Sequence, residues 1–410
     1  MKFDDYRLSP EIKKNLADLG FKRPTDIQYK AIPSILNGED VMAIAQTGTG
    51  KTAAFAIPLI HQIQQKKSSR RSSGVRALVM VPTRELAQQI TQVFNQIGKH
   101  TKVKTVSLMG GVDQDPQIRA LVQGVDIVVA TPGRLFDLIA QGYLPLDFVD
   151  TLVLDEADRM LMLGFFDDIQ AVLRKMGTKR QTLFFSATLN EEIKKMAYLV
   201  VRNALRIQIA PSQRINKNIH HVVTQVEPDD KRFFLERLIK EYPEGKGIVF
   251  VRTKVRAERV KAALQRVGIQ SETIHGDKIQ KERFDVLQQF RAGKVALLIA
   301  TDVSARGIDL PGVDYVVNYD VPEETENYIH RIGRTGRGMA KGRAYTFCST
   351  DEKPLLKAIE EYLQQPIEVL NIDSTTYQET VLFSEDPTRT YDWKALIAEQ
   401  DQIKPKKKRK

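Results

Sequence analysis

Apolar positions in this chain fall into short consecutive runs, separated by stretches compatible with helix. Val41 to Ala45, Arg76 to Val81, Val103 to Leu108, Val125 to Ala130, Thr151 to Asp155 and Gln181 to Ser186 read as strands. Apolar character at consecutive positions marks strands covered on both faces. Strand and helix alternating in this way predict a doubly wound parallel sheet. A second series repeats the pattern at Ile219 to Val226, Lys246 to Val251, Gln270 to His275, Val295 to Ala300, Val313 to Asn318 and Arg343 to Phe347. The expected fold class is therefore α/β, with two tandem doubly wound parallel-sheet domains. Between the two series, Ala210-Pro-Ser-Gln-Arg-Ile-Asn-Lys-Asn218 is polar and carries proline and asparagine, which suits a flexible linker. The expected organisation is a first domain over 1–209, a linker over 210–218, a second domain over 219–370 and a C-terminal extension over 371–410. The polar stretch Gln64 to Ser73 reads as a loop. Beyond Pro366 no periodicity is clear except around Trp393 to Ile397.

Composition narrows the class without choosing an activity. The chain has 410 residues, 42% hydrophobic and 28% charged, ordinary values for a globular chain and more than a typical single domain holds. No run is long enough to span a membrane. The start, Met1-Lys-Phe-Asp-Asp, lacks the apolar core of a signal peptide, and one cysteine, Cys348, forms no internal disulfide. A reducing, cytoplasmic setting is expected, with Cys348 a small core residue of the stretch Ala344-Tyr-Thr-Phe-Cys.

Charge changes the picture more. The net charge of +11 points to a polyanionic partner, yet Lys404-Pro-Lys-Lys-Lys-Arg-Lys410 supplies six of those charges and leaves +5 on the other 403 residues. Affinity for phosphates in the body must therefore come from placed amides and a few side chains. The tail reads as an electrostatic tether for nucleic acid or for protein partners; a solvated end and a nuclear import signal are the other readings of such a run.

Chemistry concentrates in two places. Ala45-Gln46-Thr47-Gly48-Thr49-Gly50-Lys51-Thr52 follows a strand and precedes the helix-compatible run Ala53 to Ile57. A strand, a glycine turn and a helix N-terminus make a cradle in which backbone N–H groups and the helix dipole meet phosphate. Lys51 adds a point charge for the outer phosphates, and the Thr52 hydroxyl is placed to ligate Mg²⁺. Ala45 stands where the general pattern has glycine. Asp155-Glu156-Ala157-Asp158 ends the apolar run Thr151 to Leu154, so its carboxylates emerge at the carboxyl end of a strand, where open α/β sheets bind ligands. Asp155 can hold the Mg²⁺ shell, and Glu156 can orient and deprotonate an attacking water. An acidic helix start would also explain these acids, but not the cradle upstream. Together the two motifs indicate hydrolysis of a nucleoside triphosphate.

With these residues in place, the chain resembles the DEAD-box ATP-dependent RNA helicases of superfamily two, from Phe3 to about Leu370. The resemblance includes Gly20-Phe21-Lys-Arg-Pro24-Thr25-Asp-Ile-Gln28, Pro82-Thr83-Arg84-Glu85-Leu86-Ala87, Gly110-Gly111, Thr131-Pro-Gly-Arg134 and Ser186-Ala-Thr188. In the second half it includes Val249 to Thr253, His275-Gly276-Asp277, Gln280-Lys-Glu-Arg283, Ala300 to Asp302, Arg306-Gly307-Ile-Asp309 and His330-Arg331-Ile-Gly-Arg334-Thr-Gly-Arg337. The wording of the motifs looks most like the bacterial RhlE type.

The resemblance implies two RecA-like domains and an ATP site made of Phe21, Gln28, residues Gln46 to Thr52 and Asp309. In it Phe21 stacks on the base with support from Phe3, Gln28 pairs with an adenine edge, and Asp309 meets the ribose. It assigns Arg334 and Arg337 to the terminal phosphate, as arginine fingers that contribute about 10³ to 10⁵ in rate. Three residues apart, these arginines would share a face if helical. RNA contacts fall to Thr83, Arg84, Gly111, Thr131 and Arg134 in the first half and to Thr253, Gly276 and Thr301 in the second. Such small and hydroxyl-bearing positions read phosphates and sugars without sequence preference. Ser186, Thr188, Asp158 and His330 would couple the phosphate site to the RNA face.

The implied mechanism is an ATP-driven and RNA-driven closure of two domains that bends one strand and unwinds duplexes locally. A DNA-stimulated translocase and an ATP-gated RNA clamp with little turnover are the rival classes. The joint presence of Glu156, Arg334 and Arg337 argues against the second.

Overall fold

The computed structural model describes residues 2–45, 48–68, 74–209, 218–305, 308, 310–336 and 340–382. Gln46, Thr47, Asp309, Arg337, most of the linker, the segment Trp393 to Ile397 and the basic tail lie outside the described residues.

The first sheet has seven strands: β1 (Val41–Ile44), β2 (Ala77–Met80), β3 (Thr105–Leu108), β4 (Ile127–Ala130), β5 (Thr151–Leu154), β6 (Gln181–Ser186) and β7 (Leu205–Gln208), in the order β3-β4-β2-β5-β6-β1-β7. Every pairing is parallel. In β1, Val41 and Ala43 enter one hydrophobic cluster while Met42 and Ile44 enter another on the opposite face. Both faces are therefore covered, which is why these strands read as continuous apolar runs. The helix Lys51–Ser68 buries Phe55 between Phe94 and Phe185, at ring distances of 6.0 and 5.2 Å. Burial of a side chain of this kind contributes about 2 to 3 kcal/mol, and it anchors the helix whose first residue is Lys51.

The second sheet repeats the plan with β8 (Ile219–Gln225), β9 (Gly247–Phe250), β10 (Glu272–Ile274), β11 (Leu297–Ala300), β12 (Tyr315–Asn318), β13 (Gly342–Cys348) and β14 (Glu368–Val369), ordered β10-β11-β9-β12-β13-β8-β14 and parallel throughout. The chain accordingly forms two compact units, one around each sheet. β7 and β14 were not expected. Both are edge strands; β14 is exposed and β7 buries only Ile207, so neither carries an apolar run to betray it. Packed structure also continues past residue 370. The helix Ser374–Leu382 places Tyr377 against Phe234, 4.8 Å between ring centroids, and Tyr377 Oη donates to Asp230 at 2.8 Å. Cys348 is buried in β13, as expected of a core residue. Among the described residues, no helix is long and apolar enough to cross a membrane.

Candidate active site

The glycine turn after β1 delivers Lys51 to a helix N-terminus. Gly48 and Gly50 both have positive φ, +81° and +92°, which an L side chain rarely adopts. A Cβ on Gly50 would also lie 2.5 Å from Gln28 Nε2, so the turn admits no larger residue there. Lys51 is buried, and its Nζ has no hydrogen-bond partner among the described residues. A buried, unpartnered ammonium is costly unless an anion is supplied. The turn thus holds one unpaired positive charge at a helix N-terminus, the arrangement a bound phosphate would complete.

Asp155 and Glu156 leave the carboxyl end of β5, beside this turn in charge terms: burial pushes the Asp155 carboxyl up to about 6, against the pull of Lys51. Asp155 is buried and accepts from the Glu156 amide at 3.0 Å. Thr52 and Asp155 offer hard oxygen donors, and a divalent cation beside Asp155 would favour its ionised form. The donor set fits Mg²⁺. Glu156 occupies the left-handed region, φ 52° and ψ 48°, a strained conformation for a side chain with a Cβ. Its Oε2 is buried with no hydrogen bond, 3.6 Å from Arg159 Nη1. The carboxylate lies against Arg159, one turn into the helix Ala157–Met162.

Asp158 points to the neighbouring strand. Its Oδ2 accepts from the amides of Ala187 and Thr188 at 3.2 and 3.1 Å and from the Thr188 hydroxyl at 3.2 Å, while Ser186 Oγ donates to the Thr188 carbonyl at 2.8 Å. The two motifs form one hydrogen-bonded unit.

Gln28 is brought to the phosphate turn rather than left open. Its Oε1 accepts from the Thr25 amide at 3.0 Å and its Nε2 donates to the Gly50 carbonyl at 3.1 Å; Thr25 Oγ1 donates to the Thr49 carbonyl at 2.8 Å. Among the described residues, these bonds occupy one position at each end of the amide, which has a second acceptor lone pair and a second N–H. Phe21 stands edge-on to Phe3 at 5.7 Å, with Phe3 buried and Phe21 half-buried.

The predicted RNA residues of the first unit gather at strand ends. Thr83 caps the helix Arg84–Ile97 by accepting from the Leu86 amide at 3.4 Å. Arg84 Nη2 lies beside Gly110, and Arg134 Nη2 donates to the Val112 carbonyl at 3.2 Å, which ties Thr131-Pro-Gly-Arg134 to the Gly110-Gly111 loop. Gln117 clamps the same loop: Oε1 accepts from the Met109 amide and Nε2 donates to the carbonyls of Met109 and Asp113. Sequence reasoning missed Gln117, because a lone glutamine in an amphipathic helix carries no motif.

In the second unit, Thr253 caps the helix Lys254–Arg266 through the Arg256 amide at 3.2 Å, Gly276 follows β10, and the Thr301 hydroxyl donates to Ser304 Oγ at 3.3 Å. His275 Nε2 lies 2.8 Å from Glu258. Arg331 is buried and binds Asp302 in a two-pronged pair at 2.6 and 2.7 Å, its guanidinium 5.3 Å from the Phe250 ring centroid. The helix Thr325–Ile332 ends at Gly333, and Arg334 lies in the turn beyond; Arg337 is outside the described residues. Arg334 is buried, and its Nε donates to the carbonyl of His330 at 3.0 Å.

Residues 25–196 match the DEAD/DEAH box helicase family, and residues 230–339 match the helicase conserved C-terminal domain. Over 369 residues the chain is 42% identical to the ATP-dependent RNA helicase CshA of Listeria monocytogenes, covering 90% of this chain and 70% of that protein. It is 38% identical over 377 residues to the ATP-dependent RNA helicase DbpA of Bacillus subtilis, covering 92% and 77% respectively. Among solved structures, Dbp5 of S. cerevisiae bound to RNA and ADP BeF3 is similar with a TM-score of 0.81 at 32% identity, covering 93% of this chain and 97% of that one. Mss116p bound to ssRNA and AMP-PNP gives a TM-score of 0.84 at 30% identity, with coverages of 97% and 85%.

Proposed function

Since the chain belongs to the DEAD-box ATP-dependent RNA helicases, we propose that it couples ATP hydrolysis at the turn Gly48 to Thr52 to local, non-processive remodelling of RNA duplexes or RNA–protein complexes in the cytoplasm. The relatives carry the names CshA and DbpA, so they establish the family rather than an RhlE-like subgroup. The observation that carries the site assignment is the buried Lys51 ammonium, unpartnered at a helix N-terminus beside the buried Asp155.

In this reading Lys51 and the turn amides hold the outer phosphates. Mg²⁺, held by Thr52 and Asp155, would neutralise phosphate charge as the terminal bond breaks. Glu156, at the carboxyl end of β5 beside Asp155, orients water and takes its proton. Phe21 and Gln28 select adenine. Because Gln28 is also bonded to the Gly50 carbonyl, recognition of the base is transmitted to the phosphate turn. Asp309 contacts the ribose, and Arg334 and Arg337 act on the terminal phosphate. Thr83, Arg84, Gly111, Thr131, Arg134, Thr253, Gly276 and Thr301 contact the RNA backbone. Asp158, Ser186, Thr188 and His330 relay the state of the phosphate site to that backbone.

Steady-state ATP hydrolysis with and without single-stranded RNA, with DNA of matched length as control, tests this. Turnover is expected to rise with RNA and to fall by about 10² to 10⁴ in Glu156→Gln. Equal stimulation by DNA would make the protein a general nucleic-acid translocase, and no turnover at all would make it a binding clamp.

A further inference from the structure

The loop that follows β3 carries Gly110 and Gly111, and one side chain from outside it fastens both of its ends. β3 is an edge strand of the first sheet, so the chain leaving it at Leu108 has a neighbouring strand on one side only. On that side the Leu108 carbonyl accepts from the Thr131 amide at 3.0 Å. Gln117 binds both backbone groups of the next residue: its Oε1 accepts from the Met109 amide at 3.0 Å, and its Nε2 donates to the Met109 carbonyl at 3.2 Å. The same Nε2 donates to the Asp113 carbonyl at 3.1 Å, which closes residues 109–113 into a ring on one amide. Gln117 is only 7% exposed and sits in the first turn of the helix Asp115–Val122, whose Ile118 and Leu121 pack against the core of the first unit. The anchor is thus fixed by packing, whereas the loop it holds contains Gly111 at φ +75°, a residue type with wide backbone freedom. Within the ring, the Val112 carbonyl accepts from Arg134 Nη2 at 3.2 Å.

We propose that Gln117 is a positioning residue for RNA: it touches no ligand itself, and it holds the Gly111 backbone beside Thr131 and Arg134 in the arrangement that meets the sugar-phosphate chain. The inference rests on the RNA reading of Gly111, Thr131 and Arg134 and adds the residue that sets their geometry. A loop that must be ordered when RNA arrives subtracts that ordering from affinity, and a loop ordered beforehand does not. Removal of the Gln117 amide strips the buried Met109 of two bonds and Asp113 of one, so the ring opens at both ends. A residue that served only the fold of the first unit would, when replaced, lower stability and nucleotide chemistry together; a positioning residue lowers RNA affinity alone.

The test uses the full chain and two variants, Gln117→Leu and Gln117→Glu, each checked for an unchanged melting temperature, with a single-stranded oligouridylate as the RNA. Gln117→Leu removes all three bonds. The RNA concentration that half-saturates stimulation of ATP hydrolysis is expected to rise about 10- to 100-fold, while the maximal rate at saturating RNA and the nucleotide affinity without RNA stay at the parent's values. Gln117→Glu keeps an acceptor for the Met109 amide but sets a buried carboxylate against two carbonyls, an environment that favours its protonated form, and protonation restores a donor. Its deficit in RNA affinity, measured by fluorescence anisotropy beside the parent at each pH, is expected to shrink as pH falls from about 8 to about 5.5. An unchanged half-saturating RNA concentration in Gln117→Leu would overturn the proposal, as would an equal loss of maximal rate or of nucleotide affinity. So would a deficit in Gln117→Glu that is the same at every pH; this series compares one variant with itself and decides the question even where Gln117→Leu melts lower. Absence of RNA-stimulated hydrolysis in the parent would instead overturn the RNA reading on which the inference rests.

Discussion

Glu156 shows how one residue can hold two demands in tension. Its left-handed backbone costs of order 1 to 3 kcal/mol, and its buried Oε2 lacks a hydrogen bond. The nearest cation to that oxygen is Arg159 at 3.6 Å, which answers its charge without a hydrogen bond. Asp158, two residues on, turns the other way and accepts three bonds from Ala187 and Thr188. Thr188→Val removes only the hydroxyl bond and keeps both amide bonds. It is expected to cost about 1.5 to 3 kcal/mol of coupling between the motifs. The measurement is duplex unwinding alongside ATP hydrolysis in the same preparation: unwinding should fall far more than hydrolysis, and a parallel loss of both would refute a coupling role. At the phosphate turn, Gly50→Ala meets both a forbidden backbone angle and the Gln28 amide. It is expected to weaken nucleotide binding by at least tenfold in equilibrium titration while leaving the RNA affinity of the nucleotide-free protein intact.

At the scale of elements, the carboxyl ends of β9 and β12 are held by a buried ionic network that no motif announced. Lys231 Nζ reaches Glu352 at 2.5 Å and the Tyr319 carbonyl at 2.8 Å; Arg252 reaches the other oxygen of Glu352 at 3.1 Å, and the Val321 amide donates to it at 3.2 Å. Burial raises the Glu352 carboxyl, but the Lys231 bond and charge and the Ser349 and Val321 amides outweigh it. The net position is below the ordinary 4.5. A carboxyl lowered on folding contributes stability above its unfolded value, and that contribution is lost as pH falls through the lowered folded value. Glu352→Gln removes the nearer counter-charge of the buried Lys231 and leaves it Asp320 at 3.9 Å. It should cost the second unit about 3 to 5 kcal/mol at neutral pH and flatten the acid limb of its stability, read by urea unfolding as a function of pH. An acid limb as steep as the parent's would show that other carboxylates carry it.

Across the whole molecule, charge is distributed unevenly. The terminal Lys404–Lys410 run carries six of the eleven net positive charges, so deleting it is expected to reduce RNA affinity and the slope of log affinity against log salt. The maximal hydrolysis rate at saturating RNA should stay the same, because the groups assigned to chemistry lie elsewhere. An unchanged salt slope would mean that the tail does not meet RNA.

Local chemistry was legible in the residues themselves. Parallel strands buried on both faces must be apolar throughout, which is why β1, β2, β4, β5 and β6 and their counterparts in the second sheet stand out along the chain. A phosphate turn needs glycine, lysine and a hydroxyl in a fixed local order, and the carboxylates at the end of β5 are adjacent in the chain. Both signatures are confined to a few neighbouring residues. Edge strands escape this logic, since β7 and β14 bury little and pair by backbone. So does the helix Ser374–Leu382, whose contacts with Phe234 and Asp230 join residues far apart along the chain, and so does the end of the helix Thr325–Ile332, which leaves Arg334 in a turn. The Gln117 clamp and the Lys231–Glu352 network were likewise decided only in three dimensions. Each joins residues from separate elements, and the energy of such contacts depends on burial and distance that no local spacing encodes.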